Sequence, residues 1–190
     1  MNRAWPAAVA AVGAVALSVP PLRQVIEQSM AWHMVFQMPL LVVAGALAAR
    51  ALTAPALLGK WNGFNVFGLT GFMAAQGIMA YWMLPSAIDR AVVNPGFDVL
   101  KLVTLFVCGM LLRGSFQRAP VALQLFFIGY WVSMMCWLGI YFATTDLRLC
   151  NAYSLESQSS TGWGLLALGL LLGIVWLGNA WQETVKHPSA

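Results

Sequence analysis

The stretch 29-SMAWHMVFQMP-39 sets one imidazole, His33, among the thioethers Met30, Met34 and Met38, which are spaced four residues apart. Residues three and four apart share a helix face. His33 then lies beside Met30 and Gln37, and Met34 lies above Met38. Soft thioether sulfur favours Cu(I), and imidazole suits copper too, whereas hard cations take oxygen ligands. Plain packing uses the same residues: Met fills irregular gaps between helices, and a single intramembrane His often hydrogen-bonds to a neighbouring helix. Spacing alone leaves both readings open. Pro39 cannot donate to the carbonyl of Val35, which predicts a kink beside the sulfurs.

A second candidate is 98-DVLK-101, where Asp98 and Lys101 stand at i and i+3 and can neutralise one another. Lys101 and Arg113 are only about 18 Å apart along a helix, so one of these charges lies below a membrane interface unless its side chain snorkels. An ionisable group at that depth is costly and marks a functional site by default; a snorkelling lysine at a helix mouth is the plainer alternative. Other chemistries thin out. The second histidine, His187, lies in the C-terminal tail, so no Ser/His/Asp set forms, and neither a Walker loop nor HExxH occurs. A bis-histidine haem has only one intramembrane imidazole to use, and a His/Met haem is not expected. The chain reads as a non-enzyme. Its three cysteines make no disulfide framework: Cys108 and Cys136 fall in apolar runs and Cys150 in a loop. The run Met134–Met135–Cys136 points to successive faces and reads as packing.

The elements that must carry these residues follow from composition. Of 190 residues 61% are hydrophobic and 8% charged, and the mean hydropathy is +0.76, which is membrane-protein usage. A bilayer core needs roughly 20 apolar residues per helix. Uncharged runs lie at about 4–22, 31–49, 61–84, 119–143 and 161–182, and a sixth span at about 98–117 carries charges at its ends. The expected fold is an all-α polytopic transmembrane bundle of about six helices in one domain, 1–190. Arg3 ahead of the first apolar run looks like the start of a secretory leader, but we expect this run to be kept as a span.

Arg3, Arg50, Lys60, Arg113, Arg118 and Lys186 fall on one side of such a bundle and Arg23, Arg90, Lys101 and Arg148 on the other. The basic excess places both termini inside, N-in/C-in. The net charge of +4 is then a topology signal, with no basic cluster for nucleic acid. On this topology His33, Met34, Gln37, Met38, Met79, Met83, Asp89, Asp98, Lys101 and the loop with Cys150 and Gln158 all gather at the outer end. Cys150 is expected to be open to thiol reagents there. Gly169 and Gly173 form a small-xxx-small step that permits a close helix contact, inside the chain or with another subunit.

The segment 81-YWMLPSAIDRAVVNP-95 resembles the signature of the CtaG-type membrane proteins, cytochrome c oxidase assembly factors. There, Trp-His-x-Pro is followed by an aspartate-containing turn and an Asn-Pro before the next helix. Trp82, Pro85, Asp89, Ala91, Asn94 and Pro95 match. His33 and Gln37 before 39-PLLVVAG-45 are similar to the family's histidine-rich helix, and 156-ESQSSTGW-163 to its Gln-x-x-x-Gly opening of a late helix; the likeness spans about residues 30–180. Met83 replaces the histidine after Trp, Gln37 and Met38 stand at or beside the second histidine of the first motif, and Asp98 and Lys101 stand where histidines open the following helix. The resemblance implies a multi-pass protein of the bacterial cell inner membrane, linked to copper insertion into a haem-copper oxidase. Its partners would be oxidase subunits or a periplasmic copper carrier. Two forms follow. In one, Met substitutes for His, and His33, Met34, Met38 and Met83 hold Cu(I), with Gln37, Asp89, Asp98 and Lys101 as supporting or docking residues. That set requires the second and third spans to touch at their outer ends. In the other, the protein is a non-metal accessory or structural subunit of a membrane complex.

Overall fold

The structure, a computed structural model, describes residues 13, 23, 25–51 and 63–186. The expected first span, 4–22, lies outside the described residues except for Gly13, as do Arg3, Lys60 and His187. The described residues are helical without a strand. Helix α1 starts with a π-wound segment, Trp32–Gln37, and continues as an α-helix over Met38–Ala51. It is followed by α2 (Leu69–Trp82), α3 (Pro85–Val93), α4 (Pro95–Phe116), α5 (Val121–Thr144) and α6 (Leu155–Lys186). Helices α1, α4, α5 and α6 are long and apolar enough to cross a membrane.

Local chemistry sets the ends of these helices. Asn94 is extended and its side chain accepts the Gly96 and Phe97 N–H groups at 2.8 and 3.4 Å, with Pro95 at the first helical position; this is an N-cap in which proline removes one orphan donor. Leu84 is extended ahead of Pro85, as a residue before proline prefers. The run expected as one helix over 61–84 therefore ends at Trp82, and a short amphipathic α3 follows, burying Ala87, Ile88 and Ala91. At its other end the run is cut by Gly68, whose φ of 75° suits glycine. Asn65 closes the turn by accepting the Gly71 N–H at 3.1 Å. Only 14 residues of α2 are left.

Helix α4 is the common neighbour, packing against α1, α2 and α3, while α5 and α6 form a long pair and α6 also meets the π segment of α1. Contacts between His33 and Lys101 and between Ala75 and Cys108 give the directions: α1 and α4 run side by side from one end, and α2 runs back toward it. The crossings depend on glycine. A Cβ on Gly45 would meet the Phe106 carbonyl, and one on Gly109 the Val42 carbonyl, so α1 and α4 touch backbone to backbone. Gly139 and Gly162 do the same for α5 and α6. Gly169 and Gly173 face Met135 and Val132 of α5, so this glycine step has an internal partner. Both α1 and α2 pack chiefly on α4.

Candidate functional site

Because Pro39 offers no N–H, the turn before it must find another bonding pattern. It takes the form of the π segment, in which the Met38 N–H reaches back five residues to the His33 carbonyl; such widened turns recur at functional sites. His33, Met34 and Gln37 are all buried on this segment.

Around His33 lies a compact charge cluster. The Lys101 ammonium is 2.8 Å from Asp98 Oδ1, 3.4 Å from Glu27 Oε1 and 2.8 Å from His33 Nε2. Arg23 joins the same two carboxylates, its Nε donating to Glu27 Oε2 at 3.0 Å and its Nη1 lying 3.2 Å from Asp98 Oδ2. Two cations therefore meet two carboxylates, and the cluster is neutral. His33 and Lys101 have no exposed surface. The i, i+3 pair forms as the spacing suggests, but Lys101 turns inward and does not snorkel. An ammonium has three donors and no acceptor. It donates to Glu27, pairs with Asp98 as an ion pair and lies within hydrogen-bond distance of His33 Nε2, while His33 Nδ1 is 2.7 Å from the Tyr153 hydroxyl.

Tyr153 comes from the connection between α5 and α6, and several side chains fasten that loop. Asp89 of α3 accepts the Asn151 and Ala152 N–H groups at 2.9 and 3.2 Å. Gln158 of α6 accepts the Leu149 N–H at 2.9 Å and donates to the Leu147 carbonyl at 3.1 Å. Arg148 donates to the carbonyls of Tyr153 and Asn151 at 2.7 and 2.8 Å. Ser157 accepts the Met30 N–H at 2.9 Å, tying the start of α1 to α6. Burial, and then the negative charge of Glu27, holds the Tyr153 phenol above its ordinary range, so it stays a neutral hydroxyl.

Of the residues singled out from the sequence, His33, Asp98 and Lys101 come together, and Asp89 acts on the loop that supplies Tyr153. Met34, Met38 and Met83 lie in the apolar core together with Met30 and Met79. The His33 ring is held by α4 and the loop. Both nitrogens of His33 have a partner within hydrogen-bond distance, with the Lys101 side chain at Nε2, so His33 links α4 to the loop. Among the described residues no three His, Cys, Asp or Glu side chains converge as a metal-holding group. Sequence reasoning missed Arg23, Glu27 and Tyr153. Arg23 and Glu27 at i, i+4 ahead of an apolar run were a usable signal; Tyr153, 120 positions from His33, carried none.

Cys150 is corrected in one respect. It is 1% exposed, and burial, then the Asp89 charge, pushes its thiol up to about 12. The wild-type thiol is therefore expected to resist maleimide until the protein is denatured. Asp89→Asn weakens two charge-assisted bonds of a half-buried carboxylate, worth about 1 kcal/mol. Cys150 alkylation in detergent should then quicken roughly fivefold. An unchanged rate would mean that Asp89 does not hold the loop shut. Leu147→Cys, at a 67% exposed position, is the better reporter of which side the loop faces.

No protein-family model, curated protein or solved structure matches the chain.

Proposed function

We propose that this chain is a multi-pass accessory protein of the bacterial inner membrane that supports a haem-copper oxidase or its assembly through protein contacts, without carrying copper on His33. The reading of a membrane bundle is supported by the four long apolar helices. Arg50 and Arg113 sit in the last turns of α1 and α4, at the end away from the loop, which agrees with an N-in/C-in orientation. The oxidase partner follows from the resemblance around Trp82, Pro85, Asp89 and Asn94. The observation that carries the non-metal reading is the Lys101 ammonium, 2.8 Å from His33 Nε2.

The test is to load the detergent-purified protein with Cu(I), remove weakly held metal with a chelator and count copper per chain. The same preparation is probed for co-purifying oxidase subunits. We expect copper far below one per chain, the same in His33→Ala, and recovery of oxidase subunits. One Cu(I) per chain that is lost in His33→Ala and in Met83→Leu would overturn this reading in favour of copper handling.

A further inference from the structure

The end of the bundle away from the Tyr153 loop gathers arginine. Gly109 of α4 faces Val42 and Ala46 of α1, and both helices run toward this end. One turn further, Arg113 follows Gly109 and Arg50 follows Ala46, each in the last turn of its helix. The two guanidinium groups therefore stand on neighbouring turns of touching helices. Arg118, just past α4, folds back along it, with Nη1 3.9 Å from where a Cβ on Gly114 would stand. Arg50 is exposed and Arg113 half-buried. The Arg113 Nε is shielded from solvent and has no hydrogen-bond partner among the described residues. Glu27, Asp89, Asp98, Asp146 and Glu156 all belong to the opposite end, so none of them neutralises Arg50 or Arg113. Glu183 on α6 has Lys186 three residues on. Charge this close to low dielectric calls for a counterion.

Apolar surface adjoins the arginines. A Cβ on Gly68 would meet the Ser115 carbonyl, and Asn65 Nδ2 donates to Ser115 Oγ at 3.3 Å. The segment 64–68 is thus seated on α4 at Ser115, between Arg113 and Arg118 in the chain, and it holds Phe64, Val66 and Phe67 exposed. A soluble anion would match only the guanidinium groups, and an apolar ligand only the rings. An anionic lipid matches both.

We propose that this end of the bundle binds an anionic phospholipid, with its phosphodiester against Arg113 and Arg50, Arg118 at the edge, and its glycerol and upper acyl chains against Phe64, Val66 and Phe67. A guanidinium takes two phosphate oxygens through parallel N–H bonds, and basic pockets between membrane helices hold anionic headgroups in this way. The site depends neither on the oxidase reading nor on which side of the membrane this end faces.

The experiment offers dioleoylphosphatidylglycerol, dioleoylphosphatidylcholine or inorganic phosphate to the full chain in a nonionic detergent. Retained lipid is read by native mass spectrometry and stability by thermal melting. We expect phosphatidylglycerol to stay bound and to raise the melting temperature. Phosphatidylcholine, which carries the same phosphate without net charge, should do neither, and inorganic phosphate should not stabilise the protein. Arg113→Gln and Arg50→Gln should each weaken phosphatidylglycerol binding about fivefold. Arg90→Gln, at an exposed position of the other end, should leave it unchanged. Equal retention of the two lipids, or retention of neither, overturns the proposal, as does a loss in Arg90→Gln equal to that in Arg113→Gln. Stabilisation by inorganic phosphate to the same degree would assign the arginines to a soluble anion and overturn it as well. If Arg113→Gln fails to fold, the exposed Arg50→Gln decides.

Discussion

Lys101→Met is expected to cost the protein about 3–5 kcal/mol, the range for breaking a buried ion pair by removing one partner. Asp98→Asn should lose a comparable amount. The cluster holds Lys101 and Arg23 against Asp98 and Glu27. Removing the ammonium leaves two carboxylates facing one guanidinium; removing Asp98 leaves two cations facing Glu27. Either way a charge stays buried without its counterpart. The double variant keeps the Arg23–Glu27 pair, which balances, so it should recover part of the loss. Thermal melts of the four proteins in one detergent give the coupling directly. If the two losses simply add, each side chain is solvated separately and the cluster is not an energetic unit.

The second large effect belongs to the glycines where α1 crosses α4. A methyl group on Gly109 would meet the Val42 carbonyl and lie 2.8 Å from the Ala46 nitrogen, and one on Gly45 would meet the Phe106 carbonyl. These obstacles are backbone, so no side chain can rotate away and the helices must part. Overpacking of this kind costs about 1–3 kcal/mol or more, and Gly45→Ala and Gly109→Ala should each lower the melting temperature and the yield. The same two helices carry His33 and Lys101, so their separation also loosens the cluster. Gly77→Ala is the control: nothing lies within 4 Å of a Cβ there, and alanine favours a helix over glycine. Equal losses at Gly77 and Gly109 would show that the crossing is not tight.

Much of this was legible in the chain. Asp98 and Lys101 stood out because a membrane segment has few reasons to hold charge, and both line the site. Asn94-Pro95 marked a helix start with a physical mechanism. The extent of α2 was overread, because apolar composition at 61–84 hides the break that Gly68 and Pro85 impose. That α1 and α2 pack chiefly on α4 was hidden for a related reason. Hydropathy gives the number of helices, but which pair touches depends on where small residues let backbones approach, and Gly45 and Gly109 bring α1 onto α4. The sulfur stripe drew attention to the right helix. What it could not reveal is that Lys101 would reach across and occupy the histidine, since that depends on the register between two helices. Tyr153 was beyond reach, because a loop residue gains its role only once Asp89, Arg148 and Gln158 have fixed the loop.

The short α2 has a consequence for the lipid around it. Fourteen residues rise only about 21 Å, against a hydrocarbon core about 30 Å thick. Below α2 the non-helical residues 65–68 keep Val66 and Phe67 exposed, while Thr70 and Asn65 bond the Phe64 carbonyl and the Gly71 N–H from within. This flank therefore continues with exposed apolar side chains instead of a further helical turn, and a bilayer beside it is expected to thin toward them. Helix α6, with 32 residues, makes the opposite demand. The protein is thus expected to impose a thickness gradient on a surrounding bilayer, and a neighbour with a matching short flank would relieve the deformation that lipid otherwise bears.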